Sequence, residues 1–124
     1  MDEIEVEGSN IVTGMKTTFQ SGDCQQRRNL LRSIVVQLFT SPSFPSQFVQ
    51  AYGIDLLILA VRDPEPKIRL LAVHALSRLV ELGYEKQVKR GGAEKELLGM
   101  RNDPYQPLRN FAERCLTTIS GPDI

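Results

Sequence analysis

Apolar residues recur along the chain at intervals of three and four, the period of an amphipathic helix. Over residues 24–39, Leu30, Leu31, Ile34, Val35, Leu38 and Phe39 trace one broad stripe, with Asp23 placed to cap it. Over residues 65–82 the set is Ile68, Leu71, Ala72, Ala75, Leu76, Leu79 and Val80. Asp63 is the expected cap there, Pro64 stands where a first-turn proline is harmless, and Gly83 ends the helix. Over residues 105–119 the same logic collects Leu108, Phe111, Ala112, Cys115, Leu116 and Ile119 behind Asp103 and Pro104, and Gly121-Pro122 stops it. Shorter helices are expected over 10–20, 46–51, 54–62, 85–90 and 93–101, two pairs of them split by "YG" and "GG". No segment alternates apolar and polar for long enough to predict a strand, so the chain reads as all-α.

The stripes also repeat. Sliding the sequence by forty positions sets Leu57 on Leu97, Asp63 on Asp103, Pro64 on Pro104, Ile68 on Leu108, Arg69 on Arg109, Ala72 on Ala112, Leu76 on Leu116 and Leu79 on Ile119 without a gap. A weaker third copy lies upstream at forty-one, where Arg28 matches Arg69, Leu31 matches Ala72 and Leu38 matches Leu79. A short helix, a glycine break and a long helix at this period predict an α-solenoid, because one such unit cannot bury its apolar face alone. The small Ala72 and Ala112 fit points where neighbouring helices come close. Residues 10–120 form the expected repeat domain, residues 1–9 are expected to be disordered, and 121–124 form a tail.

"FVQAYGIDLLILAVRDPEPKIRLLAVHALSRLV" resembles an armadillo repeat, with HEAT repeats the nearest competitor. "VKRGGAEKELLGMRNDPYQPLRNFAERCLTTI" is a rougher copy, and "GDCQQRRNLLRSIVVQLF" matches only the long third helix. The resemblance implies a short right-handed superhelix of about three repeats, with the long helices lining a concave groove that takes peptides. Importin-alpha-like members place a Trp, and four residues later an Asn, on those helices. The Trp positions here read Ser33, His74 and Arg114, and the Asn positions read Gln37, Arg78 and Thr118. The ladder for nuclear-localisation signals is therefore absent. Two arginines and a histidine come nearer to the basic groove of beta-catenin-like members, which implies an acidic or phosphorylated peptide or protein partner held by Gln37, His74, Arg78, Arg114 and Thr118.

Composition narrows the alternatives. Fifteen Lys and Arg balance fifteen Asp and Glu, and aromatics are 6% with no Trp, which argues against nucleic acid and anionic lipid as partners. Lys86, Lys89 and Arg90 beside Glu85 read as a solvated face. Cys24 and Cys115 lie far apart and cannot complete a zinc site with the single His74, so no metal or cofactor is expected and both thiols read as free in a reducing compartment, cytosol or nucleus. The acidic start "MDEIEVEGSN" is no secretory signal, and "IDLLILAV" is too short to span a bilayer. Gly91-Gly92 lacks the spacing of a phosphate loop, and no nucleophile, base or carboxylate pair stands out, so an enzyme is not expected. Arg69 and Arg109, with Arg28 behind them, are expected to cross to a carboxylate or helix end of the adjacent unit, and Phe44 in the loop over 40–47 to plug the core beneath it. The leading reading is a non-enzymatic interaction scaffold. The alternatives are a co-chaperone of the nucleotide-exchange type that embraces a folded partner, and self-association through the end bearing Met15 and Phe19 or the end near Phe111 and Leu116, as in a piece of a longer solenoid.

Overall fold

The computed structural model describes residues 3–120, with side chains over 12–119. The tail over 121–124, and Met1 and Asp2 of the segment expected to be disordered, lie outside the described residues. Everything described is helical or connecting: α1 (Glu3–Ser21), α2 (Cys24–Thr40), α3 (Phe44–Gln50), α4 (Gly53–Ala60), α5 (Pro66–Glu81), α6 (Glu85–Arg90), α7 (Ala93–Gly99), a 3-10 turn (Met100–Asn102) and α8 (Gln106–Ser120). Helix α1 starts at Glu3, ahead of the Asn10 that the apolar spacing predicts.

Local chemistry sets the boundaries. Asp23 caps α2 in a reciprocal box: its carboxylate accepts from the Gln26 N–H at 2.8 Å, and the Gln26 side chain accepts from the Asp23 N–H at 2.8 Å. The cap of α5 is Glu65, not Asp63. Glu65 precedes Pro66 and is held extended, so the helix cannot begin before the proline. Gly83, at φ +99°, closes the same helix. Its N–H and that of Tyr84 reach back to the carbonyls of Val80 and Leu79, at 3.0 and 2.9 Å, in a Schellman end.

The forty-residue offset is visible in three dimensions. Helices α3–α4–α5 and α6–α7–α8 are two successive short–short–long sets. The break between their short helices is a left-handed residue at the same register, Tyr52 (φ 67°) in one and Gly92 (φ 92°) in the other. Helices α2, α5 and α8 pack side by side, α2 on α5 and α5 on α8, while the longest helix, α1, packs against α2, α3 and α4. The seams are fully buried: Leu31, Ile34 and Leu38 from α2, Ile68, Ala72, Leu76 and Leu79 from α5, and Leu108, Ala112 and Ile119 from α8. Each large aliphatic side chain removed from water this way stabilises the fold by about 1.5–3 kcal/mol. Phe44 is buried and stacks on Phe48 at 5.3 Å, the plug expected of it.

Two charged rungs tie the sets together. The Arg69 guanidinium accompanies the Asp103 carboxylate, with Nη2 donating at 3.0 Å and Nε 3.0 Å from the second oxygen, while Nη1 donates to the Asp63 and Pro64 carbonyls. The rung before it is made by Arg27, whose Nε donates to Asp63 at 2.7 Å and whose Nη1 donates to the Gly22 carbonyl. Arg28, the match by sequence offset, does not make this rung. Helix α2 begins directly after its cap without the Pro-Glu-Pro approach of α5, so the residue that meets the carboxylate shifts by one. Asp63 is thus 5% exposed and turned to Arg27 and to the Glu65 N–H.

Candidate functional site

Most apolar side chains near the edges of the long helices are covered, but Val36 and Phe39 of α2 are 52% and 46% exposed. Phe39 opens a stripe that crosses α2, α5 and α8. Its ring meets His74 of α5 edge-on at 5.5 Å, and His74 meets Phe111 of α8 at 5.1 Å. An arginine lies over each phenylalanine: the Arg78 guanidinium 4.5 Å from the Phe39 centroid and that of Arg114 5.8 Å from Phe111. The result is a row of aromatic rings centred on an imidazole, with a cation at each phenylalanine.

Arg78 is the better anchored of the two. Its Nε donates to the Leu38 carbonyl at 3.3 Å, one of the carbonyls left open in the last turn of α2, where a positive charge also suits the helix dipole. Its Nη1 pairs with the exposed Glu81 at 3.3 Å. Arg114 is exposed and has no carboxylate partner among the described residues. A guanidinium lying on a ring keeps its N–H edge open to carboxylate or phosphate oxygens. The stripe therefore offers apolar contact along its length and an open charge-assisted hydrogen-bond edge at Arg114, while Arg78 already shares its charge with Glu81.

Of the five residues that the sequence singles out, the structure brings His74, Arg78 and Arg114 together. Gln37 is half-buried and spends its side-chain amide on the Ser33 hydroxyl at 3.1 Å, and the exposed Thr118 donates to the Arg114 carbonyl at 3.1 Å. Both make these bonds within their own helix. Phe39, which periodicity assigns to the apolar stripe of α2, is 46% exposed, whereas Phe111 is half-buried against the core, as its spacing predicts, and meets His74 with one side of its ring. The signal that could have found Phe39 is its position at the margin of its apolar stripe, where a ring can lean over a neighbouring helix.

Other chemistry is sparse. Burial pushes the Cys115 thiol up to about 11, against a smaller opposing effect of the Ser77 hydroxyl, so it is protonated and inert near neutrality. Cys24 is half-buried, with its sulfur 3.6 Å from a Glu65 carboxylate oxygen. Among the described residues no group of three His, Cys, Asp or Glu side chains is placed to hold a metal ion, and no helix is long and apolar enough to cross a membrane.

No family model and no curated protein matches the chain. Among solved structures it is similar to an engineered protein, the crystal structure of Northeast Structural Genomics Consortium target OR329, with a TM-score of 0.76 at 16% identity over 88% of this chain. The chain spans 45% of that protein's length, and at this identity the likeness speaks for the fold alone.

Proposed function

We propose that the chain is a short armadillo-like solenoid acting as a non-enzymatic scaffold, with the face of its long helices forming a groove for an acidic peptide or protein segment. The forty-residue repetition of short, short and long helices and the side-by-side packing of α2, α5 and α8 support the solenoid. The observation that carries the function is the stripe itself: Arg78 and Arg114 lie on Phe39 and Phe111 around His74. Aromatic residues and arginines are the types that dominate binding energy at interfaces. An unpaired Cys24 and Cys115 suit a reducing compartment, the cytosol or nucleus.

The test is a panel of acidic, neutral and basic peptides titrated against the chain by fluorescence anisotropy. Acidic members should bind, weaken as salt rises, and lose at least about tenfold on Arg78→Glu with Arg114→Glu while the melting curve holds. Equal affinity across the panel, or binding that ignores the double charge reversal, would refute the groove.

A further inference from the structure

The stripe is unequal at its two ends. At the α2 end, Phe39 and, one turn earlier, Val36 present exposed carbon. The cation there is fully engaged: Arg78 lies on the Phe39 ring, its Nε donates to the Leu38 carbonyl, and its Nη1 pairs with Glu81. At the α8 end, Arg114 is exposed and lies on Phe111 with no carboxylate partner among the described residues. Between the ends, His74 and Phe111 are half-buried rings in contact. Apolar surface is thus available from one end to the middle, and an unused guanidinium edge at the other end.

Spacing turns this inequality into a sequence pattern. The row advances 5.5 Å from Phe39 to His74 and 5.1 Å from His74 to Phe111, and the Arg114 guanidinium stands 5.8 Å from the Phe111 centroid. In an extended segment every second side chain falls on one face, about 6.6 Å apart. Two such steps carry a segment from Phe39 past the His74–Phe111 pair to within a carboxylate side chain's reach of Arg114. A single step stops at the half-buried rings, and three, about 20 Å, exceed the whole row. A helix would bring a stripe more than one side chain wide, whereas the row is a single file of rings.

We propose that the stripe binds an extended segment of the pattern apolar–x–apolar–x–acid. The first apolar side chain covers Phe39 and Val36, the second covers the His74–Phe111 pair, and an Asp or Glu carboxylate sits on the Arg114 guanidinium. The inference rests on the groove reading above and gives its occupant a spacing and a single point of charge. Arg114 is the residue that sets specificity, because its planar fork matches the two oxygens of one carboxylate. Arg78 holds Phe39 in place and is already neutralised by Glu81.

The probe is a labelled Ser/Gly peptide carrying Leu, Val and Glu at alternate positions, titrated against the full chain by fluorescence anisotropy. It is made in both chain orders, since the row fixes spacing and not direction, and the tighter order is carried forward. Moving the Glu one residue toward or away from the Val turns it to the opposite face and should weaken binding by at least about fivefold. Arg114→Gln should weaken it by at least about tenfold, and Arg78→Gln by less than about threefold. Arg114→Glu should prefer the peptide with Lys in place of Glu, a reversal that a folding defect cannot produce. Circular dichroism checks that each variant stays helical. Affinity that ignores the spacing, an optimum with the acid seven residues from the Leu as a helix would place it, or equal losses at Arg78 and Arg114 overturns the proposal. Each of those results keeps a preference for acid, so the groove reading stands without this pattern. If no acidic peptide of any spacing binds, both fall.

Discussion

The two complete helix sets are forty residues apart and differ most on the face that each turns toward the C-terminal side of the stack. In the inner set that face is apolar: Ile54, Val61 and Val73 are 6%, 4% and 0% exposed, and Leu70 is half-buried beside them. Their counterparts in the outer set are Glu94, Arg101, Glu113 and Asn110. Ile54 packs on the next set so closely that a Cβ at Gly91 would come within 2.7 Å of its methyl group. Where the inner set buries Val61 and Val73, the outer set pairs Arg101 with Glu113 through two hydrogen bonds of 3.0 and 3.2 Å in water. The rungs follow the same rule. Arg27 and Arg69 each reach an aspartate of the next set, while Arg109 donates to its own Asp103 carbonyl and has no carboxylate among the described residues. Positions identical in the two sets encode what every unit needs, a buried seam. Positions that differ follow what the described residues place against each face: apolar in the first set, where the second packs, and charged in the second.

Exchanging residues between the two sets should break this comparison most strongly. Val73→Glu puts the outer residue at the inner position, where it buries a charge with no partner, and should cost roughly 4 kcal/mol or more, enough to abolish a cooperative urea transition. The reciprocal Glu113→Val should shift stability by no more than about 0.5 kcal/mol in the same assay. The rungs come next. Asp63→Ala strands Arg27 in a half-buried site and should cost about 2–4 kcal/mol, less than a fully buried pair because Arg27 keeps some solvent. Arg109→Ala, which breaks no carboxylate pair, should cost under about 1 kcal/mol.

Alkali probes the buried Cys115 thiol. Burial raises the Cys115 thiol from its ordinary value of 9.0 to about 11 in the fold. The unfolded chain therefore sheds this proton first, and stability should fall as pH rises through that window, by about 2–3 kcal/mol. Urea midpoints measured from pH 7 to 10.5 should decline more steeply for the wild type than for Cys115→Ala. The smallest effect is expected at the helix break. Gly92 takes its left-handed conformation freely, but Tyr52 adopts φ 67° against the preference of a side chain, and its ring is 70% exposed, so packing returns little. Tyr52→Gly should raise stability by up to about 1 kcal/mol in thermal melts, the gain limited by glycine's extra freedom when unfolded.

Much of this was legible in the residues themselves. The three-and-four spacing places α2, α5 and α8 to within a residue or two, because burying Leu31, Leu76 or Leu108 leaves no choice of face, but it begins α1 at Asn10, well after its start at Glu3. The offset picked out one rung arginine, Arg69, but Arg28 makes no rung, Arg109 stays on the carbonyl of its own Asp103, and Asp63 and Asp103, expected as caps, are the carboxylates of the rungs. What spacing could not resolve was decided across helices. Arg27 instead of Arg28 completes the first rung because the approach to α2 lacks the prolines of α5. Phe39 belongs to an apolar stripe by period, yet whether a marginal ring faces core or water depends on what the neighbouring helix presents, here His74 and Arg78. Gln37 and Thr118 occupy the right register but hydrogen-bond within their own helices, a local competition typical of short polar side chains and invisible to alignment by offset.

The most direct test of the central claim, that the Phe39–His74–Phe111 stripe with its two arginines is the working surface, is amide and side-chain chemical-shift mapping while an acidic peptide from the panel is titrated into the full chain. Shifts should concentrate at Phe39, His74, Arg78, Phe111 and Arg114, with α4 and α6 unmoved. Saturable shifts centred instead on Tyr52 and Leu59, or on Lys86, Lys89 and Arg90, would contradict it.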